Sequence, residues 1–335
     1  MPSMERESHR IVIAGASSLL GAELKSLLEE SKFADWDFRL LDEEEAAGTL
    51  TEAGGEATVI QPVEEGSFEK ARFVFFAGSS AFTTTNSNAA KRSHGKIVDL
   101  SGALACEGGA VVWFPKLDEL RGSAFSLTAT AFAIPSAPGT AATGLTLALS
   151  RCGAKRIAFQ WFQPVSEAGR AGIEELESQT GQLLSFQSVG QPVFDAQVAF
   201  NMLDAYGAES VHKLDAACER VRAEVKACLG KSAVVPSIQV VHAPVFYGTM
   251  FSACAELDPS ADAGKIAKAC ADAGLVLTAS GEAGPSNVSA AGEKAIQLAQ
   301  PKADPVHPGI WWFWGAADNI RLPPANAVRL AEKLA

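Results

Sequence analysis

The chain has 335 residues, enough for two domains that each bury a core. Its 47% hydrophobic and 20% charged content is that of an ordinary soluble globular protein, and a formal net charge of −11 argues against a nucleic-acid or anionic-membrane surface. No apolar run reaches the roughly 18 residues of a membrane span. The polar stretch Met1 to Arg10 has no signal-peptide core, so a cytoplasmic protein is expected. Cys106, Cys152, Cys218, Cys228, Cys254 and Cys270 are scattered without a CxxC pair, which reads as reduced thiols in core gaps, and no metal site is predicted.

In chain order, Arg10 to Ala14 reads as a buried strand, followed by a Gly/Ser turn and a helix from Leu20 to Leu28. Phe38 to Leu41, Phe73 to Phe76 and Lys96 to Leu100 are further strands. Continuous apolar strands separated by helices predict a parallel sheet covered on both faces, of the mononucleotide-binding type. From about Ile134 the texture changes. A Pro/Ala/Gly stretch, Ile134 to Thr140, leads into an apolar helix ending near Leu149. Longer β-rich runs follow, Arg156 to Gln163, Val234 to Tyr247 and Phe251 to Leu257, with helices from Gly172 to Leu184 and Leu214 to Leu229 among them. These predict an α+β second domain. A mainly apolar helix, Ala325 to Leu334, closes the chain.

Five blocks in register resemble one family, the aspartate-semialdehyde dehydrogenases. Ser166-Glu-Ala-Gly169 with the helix after it resembles the family's S-G-A-G turn, and Ala199-Phe-Asn201 its A-F-N segment. His242-Ala-Pro-Val-Phe-Tyr-Gly248 sits where the family has R-V-P-V…G-H. Ala317-Asp-Asn-Ile-Arg321 and Asn326 to Glu332 resemble its S-D-N-L-R block and final helix. The strand at His242 is similar to that of a branch of the family with a degenerate active site. The resemblance implies an α/β fold in which a Rossmann-like NAD(P)-binding domain, residues 1–133 plus 315–335, takes back the C-terminal helix. Residues 134–314 would form the α+β dimerisation and substrate domain. It also implies a homodimer, and reduction of aspartyl phosphate through a cysteine thioester with a histidine as acid/base.

At the cofactor positions the resemblance implies Gly15, Ser17, Ser18, Gly21, Gly78, Ser166, Gly169 and Asn319. Gly15-Ala-Ser-Ser-Leu-Leu-Gly21 follows a strand and opens a helix, as a pyrophosphate cradle must. Ser18 replaces the family's middle glycine; its Cβ narrows the approach, while its hydroxyl offers a donor to phosphate. After the second strand the family has a serine/arginine stretch for the 2′-phosphate of NADP, and this chain has Asp42, Glu43, Glu44 and Glu45. Four carboxylates disfavour NADP, and one of them accepting from a ribose 2′-hydroxyl would favour NAD. A vestigial turn beside a solvated acidic loop, with no dinucleotide, is the alternative.

At the catalytic positions the family's N-P-N-C becomes Ala137-Pro-Gly-Thr140, so Thr140 replaces the nucleophile. A threonine hydroxyl needs a strong adjacent base where a thiol does not, and the bland reading of Thr140 is a helix cap. Cys152 lies roughly 18 Å further along if the helix is continuous, and neither it nor Cys106 replaces the thiol. Thr249 replaces the histidine and cannot shuttle a proton near neutral pH. Cys254, of opposite parity on the same strand, should face away. The carboxylate-clamping arginine becomes His242, the helix anchors become Ala217 and Arg220, and the phosphate-binding arginine becomes Ala105. Gln163 and Asn319 remain at positions that touch substrate and nicotinamide in the family, and Glu167 replaces a glycine. A Thr140/His242 pair facing the old cleft is the sharpest rescue.

These substitutions predict a homologue without thioester chemistry that binds a small ligand or a partner. The alternatives are a divergent NAD(P)-dependent aspartate-semialdehyde dehydrogenase of amino-acid biosynthesis, and a protein that docks on an authentic dehydrogenase.

Overall fold

A computed structural model describes residues 9–53, 56–106, 109–230, 233–279 and 281–335. The polar segment before His9 and the side chain of Cys106 lie outside the described residues. The chain divides into two compact units: residues 1–114, 125–135 and 323–335 form the first, and 115–124 with 136–322 the second.

The first unit is built on a sheet of seven strands. Its order is Gln61–Pro62, Asp37–Asp42, Arg10–Ala14, Ala71–Phe76, Lys96–Asp99, Ala131–Ala133 and Val111–Val112, with every pair parallel. Alternation along the strands fills both faces, as expected for a parallel sheet. Ile11 and Ile13 pack in one cluster with Leu24, Phe73, Phe75, Val328 and Leu330, whereas Val12 and Ala14 pack in another with Val74, Phe76 and Phe82. The C-terminal helix, Leu322–Leu334, therefore contributes to the core of this unit. Strand order reverses between Arg10–Ala14 and Ala71–Phe76, and Gly15 and Gly78 follow their carboxyl ends. That is the topological switch point where open α/β sheets take ligands.

The Ser80–Lys91 helix has no apolar stripe in its sequence, being rich in Ser, Thr and Asn. It holds because Ser79 caps it and Phe82, Thr83, Ser87 and Ala90 bury one face, while Thr83, Thr84, Thr85 and Asn86 satisfy their side chains on the carbonyls of residues 79 to 82.

The second unit has a mixed sheet ordered Ser237–His242, Arg156–Gln163, Thr249–Glu256, Ile310–Ala317, Gln297–Leu298 and Val276–Leu277. Its first strand is shorter than the apolar run 234–247 suggests, because Pro236 and Pro244 bound it and cannot donate to a ladder. The Thr249–Glu256 strand alternates strictly between buried and half-exposed residues, with Thr249 inward and Cys254 outward. The helix Ala137–Ser150 is buried almost throughout, and its Ala, Gly and Thr residues let the helices Leu214–Leu229 and Ala263–Asp272 come close.

On the outward face, Trp314, Ser252 and Gln160 lie in one row across three strands and Trp312, Cys254 and Ala158 in the next. The Trp312 indole N–H donates to Asp304 and that of Trp314 to the Pro285 carbonyl, both at 2.8 Å, which fixes two exposed aromatic plates on the sheet. Among the described residues no helix is long and apolar enough to cross a membrane.

Candidate functional site

The dinucleotide turn belongs to the first unit. Gly15 has φ +89°, and a Cβ there would lie 2.1 Å from the Gly78 nitrogen. A Cβ on Gly21 would lie 2.2 Å from the Gly15 carbonyl oxygen. Two backbone crossings thus demand glycine. Ser18 caps the Leu19–Glu29 helix at an ordinary φ of −64°. Its hydroxyl donates to the Ala77 carbonyl at 2.8 Å and accepts from the Gly21 N–H at 2.9 Å. The expectation that this hydroxyl serves a phosphate is corrected: its proton goes to a carbonyl.

The Ser17 N–H donates to Asp42 Oδ2 at 2.7 Å, and the Glu43 N–H to Asp42 Oδ1 at 2.9 Å. Asp42 is buried, and Glu43 accepts from the Ser79 hydroxyl at 3.3 Å. Of the four predicted carboxylates, Asp42 is the one built into the turn. The first amides of the Leu19–Glu29 helix suit a diphosphate and Asp42 suits a ribose diol, so the donor set fits a dinucleotide. When bound, such a group supplies or takes up hydride. Ala105 lies in the single turn Leu104–Cys106, whose Leu104 N–H donates to buried Asp99.

In the second unit a cavity of about 260 Å³ gathers Ser136, Gln163, Glu167, Tyr206, His212, Lys213, Ala217, Arg220 and Thr249, against Trp161 and Phe194. It is a little smaller than the roughly 300–1,000 Å³ of ordinary ligand pockets. Of the sequence-predicted residues it therefore unites Gln163, Arg220, Thr249, Glu167 and Ala217.

Thr140 is buried, one turn inside the Ala137–Ser150 helix, with its N–H on the Ser136 carbonyl. It is not the cap. Ser136 is: its hydroxyl oxygen accepts from the Gly139 N–H at 3.1 Å. The same hydroxyl donates to Glu224 Oε2 at 2.5 Å, and Glu224 Oε1 accepts from Arg220 Nε at 3.0 Å. A buried carboxylate thereby ties the start of one helix to the cation of another.

His242 is fully buried. Nε2 lies 3.1 Å from the Val198 carbonyl, which can only accept, so Nε2 carries the proton. Nδ1 is then the acceptor for the Tyr206 hydroxyl at 3.3 Å. With both nitrogens engaged and the ring not lining the cavity, the rescue pair Thr140/His242 does not form, and His242 makes ordinary hydrogen bonds. Burial holds the His242 pKa below its ordinary value, opposed by the Val198 bond. Burial likewise raises the Tyr206 hydroxyl, with Glu167 adding to the rise and a bond from Gln163 opposing it.

The loop that carries Phe194 is held by side chains not singled out from the sequence. Buried Gln179 accepts the N–H groups of Val198 and Ala199 at 2.8 and 3.1 Å and donates to the carbonyls of Gly190 and Ala196. One turn earlier, buried Glu175 accepts from Gln179 and from the N–H groups of Val193 and Phe194. This i, i+4 pair on the Gly169–Leu184 helix stands in for a strand ladder along the loop 190–199. Only the spacing of the pair was visible beforehand, because its partners are eleven to twenty residues away.

Asn319 is also internally satisfied. Its Nδ2 donates to Ser166 Oγ at 3.0 Å and Glu167 Oε1 at 2.9 Å, and its Oδ1 accepts the Gly248 N–H at 2.9 Å. Ser166, Gly169 (φ +72°) and Asn319 thus form one turn-stitching cluster. Glu167 is an exposed residue that lines the cavity, with protein crowding its carboxyl group. That crowding raises its carboxyl pKa, against the pull of Arg220 and the Asn319 bond.

None of the five described thiols lines the cavity. Burial pushes Cys228 and Cys270 up to about 12, and raises Cys152, Cys218 and Cys254. Among the described residues no group of three or more His, Cys, Asp or Glu side chains is arranged to hold a metal.

A parallel-sheet unit with a dinucleotide turn, joined in one chain to a mixed-sheet unit holding a polar cavity, defines the class of two-domain α/β dehydrogenases. The profile described as "Semialdehyde dehydrogenase, NAD binding domain" matches residues 10–122, and "Semialdehyde dehydrogenase, dimerisation domain" matches 147–322. The chain belongs to the semialdehyde dehydrogenase family. It is 26% identical over 329 residues to the USG-1 protein homolog of Pseudomonas aeruginosa, covering 97% of each chain. It is 24% identical over 336 residues to the aspartate-semialdehyde dehydrogenase of Rickettsia bellii, covering 98% of each. The solved structure of a probable aspartate-semialdehyde dehydrogenase from Pseudomonas aeruginosa superposes with a TM-score of 0.84 at 26% identity, over 97% of this chain and 98% of that one.

Proposed function

We propose that this chain is a semialdehyde dehydrogenase homologue without thioester chemistry, whose second unit binds a small polar ligand without converting it. The observation that carries this is the residue pair Thr140 and Thr249 at the nucleophile and acid/base positions, in a unit whose described thiols stand outside the cavity with raised pKa values. Alcohols do not form acyl-enzymes at neutral pH without a strong base, and the imidazole of His242 is committed elsewhere. Arg220 and Gln163 at family substrate positions, with Lys213 and His212 beside them, favour a small carboxylate as the ligand class.

The test is nicotinamide absorbance with aspartate semialdehyde, phosphate and NAD or NADP on the purified chain. No turnover above the uncatalysed background is expected, and steady turnover abolished by Arg220→Ala would sink the proposal. An active, divergent dehydrogenase is the second reading, favoured by the dinucleotide turn that the first unit retains. The matched dimerisation domain supports a homodimer, and the fixed Trp312 and Trp314 plates make the open sheet face its natural contact. Light scattering that returns a dimer for the native chain and a monomer for Trp312→Glu tests that assignment. Capture of an authentic dehydrogenase through the same face would favour a docking protein instead.

A further inference from the structure

We propose that Asp42 makes the first unit a selector for dinucleotides with an unmodified adenosine ribose, binding NAD(H) and rejecting its 2′-phosphorylated counterpart. This rests on the reading that the unit binds a dinucleotide at all.

Asp42 ends the second strand beside the switch-point strand, where Leu41 pairs with Ala14. Its two oxygens accept one backbone N–H each, from Ser17 and Glu43. A carboxylate has about four acceptor directions, so a second lone pair on each oxygen remains for a hydroxyl. Two backbone donors also hold the group in place, so it makes a preorganised acceptor rather than a mobile surface acid. A ribose 2′-hydroxyl donates to such a group.

A 2′-phosphate brings negative charge and no donor to the same point. Glu43 stands next in sequence, tethered to the Ser79 hydroxyl at the start of the Ser80–Lys91 helix, and adds to the repulsion. The cation on the same strand is occupied: Arg39 Nη1 donates to the carbonyls of Gly66 and Ser67 at 3.3 and 3.0 Å. Arg39 keeps its charge, but these bonds anchor its guanidinium on the Gly66–Ser67 backbone.

The experiment measures the affinity of the full chain for NADH and NADPH by nicotinamide fluorescence and calorimetry, beside Asp42→Asn and Asp42→Ser. Wild type should bind NADH about 100-fold more tightly than NADPH, since like charges facing each other across a site cost that much or more. Asp42→Asn keeps an oxygen for the Ser17 N–H and removes the charge, and should cut the ratio at least about tenfold. Asp42→Ser should cut it further. Thermal midpoints of both variants separate a lost selector from a lost fold. Comparable affinity for the two dinucleotides in wild type, or an unchanged ratio in folded Asp42→Asn, overturns the selection alone. Binding of neither by wild type overturns the dinucleotide reading and this proposal with it.

Discussion

The dinucleotide turn and the second-unit cavity resemble the same family yet differ in kind. In the turn, Gly15 and Gly21 match the family pattern, and backbone packing alone requires both. In the cavity unit, Thr140 and Thr249 stand where a thiol and an imidazole are expected, and both are comfortably buried. The first pair answers to backbone crossings within the unit's own core; the second, on the proposed reading, marks positions that answer to a reaction. A family likeness at a packing-determined position therefore says little about activity, whereas a departure at a chemistry-determined position says much. The turn remains a dinucleotide-shaped object whether or not a dinucleotide is used.

That contrast breaks most readily at Gly15. Gly15→Ala places a methyl 2.1 Å from the Gly78 nitrogen at φ +89°, so backbone must move and the left-handed strain adds to the overlap. We expect a loss of ~3 kcal/mol or more, seen as insoluble protein or a collapsed urea midpoint. Gly48→Ala is the control: φ is +84° and nothing lies within 4 Å of the added carbon, so about 1 kcal/mol is expected. If the two variants unfold at the same midpoint, packing does not explain the turn.

Gln179→Leu comes next. The amide meets two N–H groups and two carbonyls of the loop 190–199, and leucine leaves them buried without partners. About 3 kcal/mol should be lost in equilibrium unfolding. Amide exchange of Val198 and Ala199 should rise with it. Ser136→Ala removes a helix cap and the hydroxyl that faces Glu224, for about 1–2 kcal/mol. Thr249→Val should be milder still, within about 1 kcal/mol, because the bond from its hydroxyl to the Phe162 carbonyl is long at 3.4 Å. A loss at Thr249 as large as that at Gln179 would place it among the packing-determined positions and end the contrast.

How much of this was legible in the sequence follows the range of the interactions concerned. The Arg10–Ala14 strand, the Leu214–Leu229 helix and the two-unit α/β plan all announce themselves by local apolar period. The Ser80–Lys91 helix does not, because Thr and Asn side chains bonding their own backbone leave no hydrophobic signature. Gln163, Arg220 and Thr249 were placed by likeness to the family, and the structure brings them to one cavity. Ser136 was passed over in favour of Thr140 as the cap, since both precede or open the same helix and only geometry separates them. Glu224 lies 88 residues from Ser136, and Val198 lies 44 from His242. No periodicity encodes such pairs. The misreading of His242 as a cavity residue has the same origin: strand register puts it opposite Gln163, but the loop carrying Val198 and Tyr206 closes over it.

The smallest effect tests that last point directly. A neutral His242 with its pKa held below the ordinary 6.5 resists protonation in the folded state, while the unfolded chain does not. Above 6.5 both states are neutral at this residue and its contribution is complete. As pH falls below that value the unfolded chain gains protons that the native chain refuses, so stability drops until the folded pKa is reached. His212, likewise lowered by burial, acts in the same direction. Glu167 and Glu175 have raised values and act in the opposite one, gaining stability as they protonate. Subtraction isolates the histidine. His242→Gln retains an N–H for Val198 and an oxygen for Tyr206 but does not titrate. The stability difference between wild type and this variant should therefore shift against wild type on going from about pH 7.5 to about pH 5.5. A difference that stays flat would mean that the imidazole titrates as it does in water, which an exposed, cavity-facing ring would do and a sealed one would not.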